Sequence, residues 1–124
     1  MSNSIIGDKS FRFAVSIVRL YQQLVADKKE YIMSKQLLRS GTSVGANVSE
    51  ALEAESRADF IHKLAIARKE SRECIYWLDL LKETGYLDEY IVNEYRQNSI
   101  EINKILRSII LSSKMKASQS RPNS

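Results

Sequence analysis

The chain has 124 residues, 44% of them hydrophobic and 27% charged, which suits one globular domain and leaves no room for two. A single cysteine, Cys74, excludes an intramolecular disulfide or a thiolate metal cluster. The net charge is +4, and its location says more than its size. Of 19 basic side chains, five (Lys104, Arg107, Lys114, Lys116 and Arg121) follow Glu101, leaving 14 to face all 15 acidic ones. A basic end on a neutral body is a footprint of nucleic-acid or acidic-partner binding, and the plain alternative is a solubilising tail. The apolar runs are short and no charged-apolar-small signal opens the chain, so a cytoplasmic protein without a membrane span is expected.

The only proline is Pro122 and there are four glycines, which favours long helices over a β-sandwich. A first helix is expected over about 10–27, with Asp8 or Ser10 as N-cap and the stripe Phe11, Ala14, Val18, Tyr21 and Val25 inward. A second is expected over about 32–55. A third, over 57–83, starts at the N-cap Ser56 with Asp59 three residues on. It keeps a four-three spacing through Phe60, Leu64, Ala67, Ser71, Cys74, Leu78 and Leu81. Gly85 is placed to end it in a left-handed conformation, and Asp88 to cap a fourth helix over about 88–113. That helix carries Ile91, Tyr95, Asn98, Ile102, Ile105 and Ile109. No useful run alternates with period two. The expectation is all-α: a bundle over 1–113 and a basic flexible tail over 114–124.

The stretch SGTSVGANVSEA, residues 40–51, is the oddest part of the chain. A phosphate-binding loop needs a lysine and a preceding strand, and neither is present. A linker would break the periodicity. Instead the four-three register runs on through Met33, Leu37, Ser40, Val44, Asn47, Ala51 and Ala54. Gly41, Gly45 and Ser49 repeat every four residues beside it, so the stretch is read as a helix thin enough for close approach by a neighbour. Asn47 and Asn98 fall on core positions and are expected to serve structure, paired across the bundle or wetted in a groove.

Second apolar stripes accompany the first: Phe13, Ile17, Leu20 and Leu24; Ile66, Trp77 and Leu80; Leu106 and Ile110. This surplus suggests subunit contacts, against the alternative of wide core stripes.

Little in the chain can do chemistry. His62 is the only histidine, so a di-iron site built on two Glu-x-x-His pairs and a hydrolytic triad both fail. No catalytic residue, metal ligand or cofactor is assigned. Arg57-x4-His62 resembles the arginine–histidine signature of HEPN ribonucleases, the one enzymatic alternative. The better lead is basic: Arg68 and Arg72, one turn apart among Lys63 and Lys69, are placed to grip neighbouring phosphates unless Glu70 and Glu73 neutralise them. Together with Lys104, Arg107, Lys114 and Lys116 they form the candidate nucleic-acid contacts.

QLLRSGTSVGANVSEA and SRADFIHKLAIARKESRECIYWLDLLKETGYL closely resemble the bacterial four-helix bundle family first found in intervening sequences of 23S ribosomal RNA genes. The resemblance spans about residues 8 to 113. It rests on Gln36, Leu37, Arg39, Ser43, Asn47 and Glu50, then Phe60, Leu64, Ala67, Glu70, Ser71, Trp77 and Leu78. Many relatives have Glu-Gly where this chain has Glu50-Ala51, a departure that touches helix packing. The resemblance implies an up-down antiparallel bundle that assembles as a ring-shaped homo-oligomer, a homopentamer. It also implies kinship with the accessory protein of diversity-generating retroelements, which binds nucleic acid and a reverse transcriptase. It implies no enzymatic activity. Gln36, Arg39, Ser43, Asn47, Glu50 and Asn98 are expected to be scaffold, with RNA, DNA or an unknown protein as partner.

Overall fold

The computed structural model describes residues 2–119 and contains four helices among them: α1 (Ser2–Lys28), α2 (Met33–Leu52), α3 (Arg57–Glu83) and α4 (Glu89–Gln119). Short connections turn each helix back on its predecessor. Cross-helix contacts show the directions: Ile17 meets Gly41 while Ser10 meets Gly45, and Ser40 meets Cys74 while Glu50 meets Lys63. Ser71 meets Ser99 while Asp79 meets Arg96, and Lys9 meets Glu101 while Ser16 meets Tyr95. In every pair one number rises as the other falls, so neighbouring helices are antiparallel. The contact of α1 with α4 is the thinnest of the four. No helix among the described residues is long and apolar enough to cross a membrane.

Local chemistry sets the ends. The Ser56 hydroxyl accepts from Asp59 N–H at 3.1 Å and starts α3. Gly85, at φ +87°, ends it, with Tyr86 N–H returning to the Leu81 carbonyl at 2.9 Å. Asp88 Oδ1 accepts from Ile91 N–H at 2.8 Å and starts α4. The start of α2 uses a device the sequence reading missed. Glu30 is buried and its carboxylate accepts from the N–H groups of Ile32, Met33 and Ser34 at 3.0, 2.9 and 2.7 Å. Three orphan donors of one helix end are satisfied by a single side chain placed before it.

Two helices outrun their expected limits. α1 is already helical at Ser2, so Asp8 and Ser10 are not caps: Ser10 Oγ donates to the Gly7 carbonyl, and Asp8 pairs with Arg12. α4 continues to Gln119, so residues 114–119 are helix and not a flexible tail; residues 120–124, with Arg121 and Pro122, lie outside the described residues.

The core contains the expected α3 stripe from Leu64 to Leu81, and Leu37, Val44 and Ala51 of α2. In α1 the other stripe is inside, and in α4 Leu106 and Ile110 of the second stripe are buried together with Ile102 of the first. Phe13, Ile17, Leu20 and Leu24 are buried, whereas Phe11 is 67% exposed. The cause is the thin helix: a Cβ on Gly41 would lie 2.7 Å from Ile17 Cγ2, and one on Gly45 3.2 Å from the Ser10 carbonyl oxygen. Ile17 occupies the space that Gly41 leaves, which fixes the rotation of α1.

In α4 the buried set is Val92, Ser99, Ile102, Leu106 and Ile110, turned inward because Ser99 Oγ–H donates to the Ser71 carbonyl at 2.5 Å. That rotation puts Asn98 outside, on the wall of a cavity of about 580 Å³ between α1 and α4. Asn47 is half-buried and donates to the Ser43 carbonyl of its own helix at 2.9 Å; Val48 holds the core position beside it. Neither asparagine pairs across the bundle.

Gly41→Ala should lower stability, because overpacking against Ile17 costs about 1–3 kcal/mol and exceeds the ~1 kcal/mol gain in helix propensity. Urea unfolding measures it, and adding Ile17→Val should restore part of the loss; a more stable Gly41→Ala protein would contradict the close approach.

Burial alone would raise the pKa of Glu30, but its bonds to the Ser34, Met33 and Ile32 N–H groups win and leave it lowered. A lowered carboxyl stabilises the fold above the ordinary value of 4.5 and loses that contribution as pH falls through the folded-state value. Glu30→Gln should therefore destabilise at neutral pH, with the gap to wild type closing below that value. A gap independent of pH would count against this role.

Candidate nucleic-acid interface

The seam between α3 and α4 is held by polar bonds. Asn103 Nδ2 donates to Ser71 Oγ at 3.0 Å and to the Arg68 carbonyl at 3.2 Å, and Arg68 Nε donates to Asn103 Oδ1 at 3.2 Å. Arg96 closes one end of the seam by pairing with Asp79 at 2.5 Å. Arg96, Asn103, Arg107 and Lys114 follow one another at the spacing of a single helix face, the edge of α4 nearest α3. Lys104 stands beside Asn103 and points further out, and Arg72 is one turn along α3 from Arg68. Helix packing thus brings Arg68, Arg72, Lys104, Arg107 and Lys114 to one side of the molecule. Lys116 is not part of the group: two residues past Lys114, it is turned about 200° around the axis.

Among the described residues, none of the five forms an ion pair, nor does Lys116. Nearby acids are engaged elsewhere: Glu101 holds Lys9 at 2.7 Å, and Asp79 holds Arg96. Glu70, which the sequence offered as a neutraliser, is on the opposite edge of α3 beside Arg39 of α2. Its carboxyl is pushed up by burial and by the hydrogen bond and like charge of Glu73, against the pull of Arg39 and Lys69.

The other edge of α3 faces the predicted motif residues. Gln36, Arg39, Ser43, Asn47 and Glu50 follow one helical stripe on α2, and Glu50 pairs with Lys63 of α3 at 3.8 Å. Arg39 and Glu50 are exposed; Gln36, Ser43 and Asn47 are half-buried. Glu70 Oε2 and Trp77 Nε1 are buried along this seam without hydrogen-bond partners. Beneath it, Cys74 Sγ is 3.4 Å from Ser40 Oγ in the core.

The arrangement offers no assembled catalytic group. Arg57 and His62 are both exposed, and five residues of helix turn them about 140° apart, so their own helix does not bring them together. Among the described residues no group of three His, Cys, Asp or Glu side chains is gathered to hold a metal ion. Sequence reasoning missed Asn103, whose partners lie 32 and 35 residues away, as it missed Glu30.

A family model described as 23S rRNA-intervening sequence protein matches residues 2–108, the span of α1 to most of α4. The chain belongs to this family. It is also similar to a crystallised protein of unknown function from the S23 ribosomal protein family of Bacteroides thetaiotaomicron. The two are 55% identical, with 89% of this chain and 98% of that one covered and a TM-score of 0.87. No curated protein matches the chain.

Burial pushes the Cys74 thiol up to about 12, with Glu70 and Glu73 adding to the shift and the Ser40 hydrogen bond opposing it. Iodoacetamide at a pH of about 8 should leave the native protein unmodified and label it rapidly in denaturant. Fast labelling of the folded protein would contradict this burial.

Proposed function

We propose that this family member is a non-catalytic cytoplasmic bundle that binds RNA or DNA through backbone phosphates along the α3–α4 seam. In this reading it acts as a ring of identical subunits, a homopentamer. The observation that carries the binding is the cluster of Arg68, Arg72, Lys104, Arg107 and Lys114, none of which forms an ion pair among the described residues. Phosphate oxygens are the natural complement of such a surface, and repetition around a ring multiplies its charge. Extension of α4 to Gln119 supports the reading, because it holds Lys114 on the helix that carries Lys104 and Arg107.

Self-association is supported by apolar side chains outside the core: Phe11 and Ile5 on α1, Leu111 and Met115 on α4. The same features favour a second reading, a scaffold for another protein with no nucleic acid involved.

Fluorescence anisotropy of a labelled structured RNA against salt tests the proposal, with light scattering to give the subunit count. Five phosphate contacts per chain predict a log–log salt slope of about −4 to −5. Lys104→Glu with Arg107→Glu should weaken binding by at least about tenfold and flatten the slope by about two. No binding at low salt would sink the nucleic-acid reading in favour of the scaffold, and a monomer would sink the ring.

A further inference from the structure

Arg68 differs from Arg72, Lys104, Arg107 and Lys114 in being held by a side-chain hydrogen bond. Its Nε donates to Asn103 Oδ1 at 3.2 Å, and Asn103 is itself anchored by donating to the Arg68 carbonyl and to Ser71 Oγ. Ser71 Oγ in turn donates to the Arg68 carbonyl at 2.7 Å, and the Ser71 carbonyl accepts from Ser99. Ser71 and Ser99 are fully buried and Arg68 is half-buried. The Nε end of the guanidinium is therefore fixed to the α4 backbone through one amide, while its terminal nitrogens have no partner among the described residues.

We infer that Asn103 is a positioning residue that presents the Arg68 guanidinium as the fixed, bidentate phosphate contact of the seam. The inference rests on the phosphate-binding reading above. A guanidinium whose Nε is already engaged offers its two terminal nitrogens side by side, matching two oxygens of one phosphodiester. Holding it in advance removes much of the rotamer entropy that binding would otherwise cost. Lys104 and Lys114 carry no such restraint and contribute charge with little geometry. Arg68 is thus the residue at which lysine is a poor substitute, because an ammonium has neither the fork nor an Nε to hold.

The alternative is that Asn103 only joins α3 to α4, and a double-mutant cycle separates the two. The probe is a short fluorescein-labelled RNA hairpin, read by anisotropy on the full chain, with thermal midpoints recorded for every variant. Arg68→Ala and Asn103→Ala are each expected to weaken binding by about tenfold. The double variant should bind no worse than Arg68→Ala alone. Ser71→Ala, which breaks the Asn103–Ser71 bond and leaves the Arg68–Asn103 bond in place, should lower the thermal midpoint and leave affinity within about twofold of wild type. Arg68→Lys should lose nearly as much as Arg68→Ala, and it carries the test if Asn103→Ala does not fold.

Losses that add in the double variant, or an Arg68→Lys protein that binds like wild type, overturn the positioning role while leaving phosphate binding intact. A wild-type protein that does not bind the hairpin overturns the phosphate reading itself, and this inference with it.

Discussion

The bundle depends on the close approach of α1 and α2 at Gly41 and Gly45. Each glycine costs about 1 kcal/mol of helix propensity against alanine, and the surrounding Ser, Thr and Asn are poor helix formers too. What offsets this is contact: Ile17 is fully buried in the space where a Gly41 side chain would stand. That one fit settles the rotation of α1, and with it which of two apolar stripes is core. It turns Phe11 out to solvent and commits α1 to α2. The boundary of α1 with α4 is correspondingly loose, bridged by Lys9–Glu101 and the Tyr95–Ser16 bond and lined by open cavities.

α4 obtains its place from α3 by a different kind of bond. The chain Ser99–Ser71–Asn103–Arg68 is short, buried at its two serines and directional, so it specifies rotation and register where apolar packing alone tolerates slippage. The cations of the seam stand on two helices locked together at Arg68, and Lys114 continues the same helix. Lys114 and Lys116, expected on a tail, are carried on α4.

α3 divides the surface into two chemistries. Its edge toward α4 carries Arg68 and Arg72, which form no ion pair among the described residues. Its edge toward α2 carries Glu70, Glu73, the Glu50–Lys63 pair and the unsatisfied indole of Trp77. Segregation of this kind explains how a protein of net charge +4 presents a face more basic than that figure. In the proposed function the α4 edge is the one assigned to phosphates.

Features governed by neighbours in sequence were legible without a structure. The caps at Ser56 and Asp88, the left-handed turn at Gly85 and the continuous α3 stripe each depend on chemistry within a few residues. The helical nature of 40–51 followed from a register that small residues did not interrupt. The inward stripes of α1 and α4 were not legible, because two stripes one or two positions apart are equally apolar and only a partner helix chooses between them. Asn47 and Asn98 were assigned to the core by that same ambiguity. Glu30 and Asn103 escaped notice because a lone Glu before a helix, or an Asn on a charged one, carries no periodic signal. The basic residues were visible one by one, but their convergence was not. Arg68 and Asn103 are 35 residues apart and meet only when α3 and α4 pack antiparallel. Sequence by itself determined that the chain is helical, where α3 begins and ends, where α4 begins and which stripes are apolar; tertiary packing alone decided which surface is buried and which charges share a face, because rotation about a helix axis is set by its neighbours.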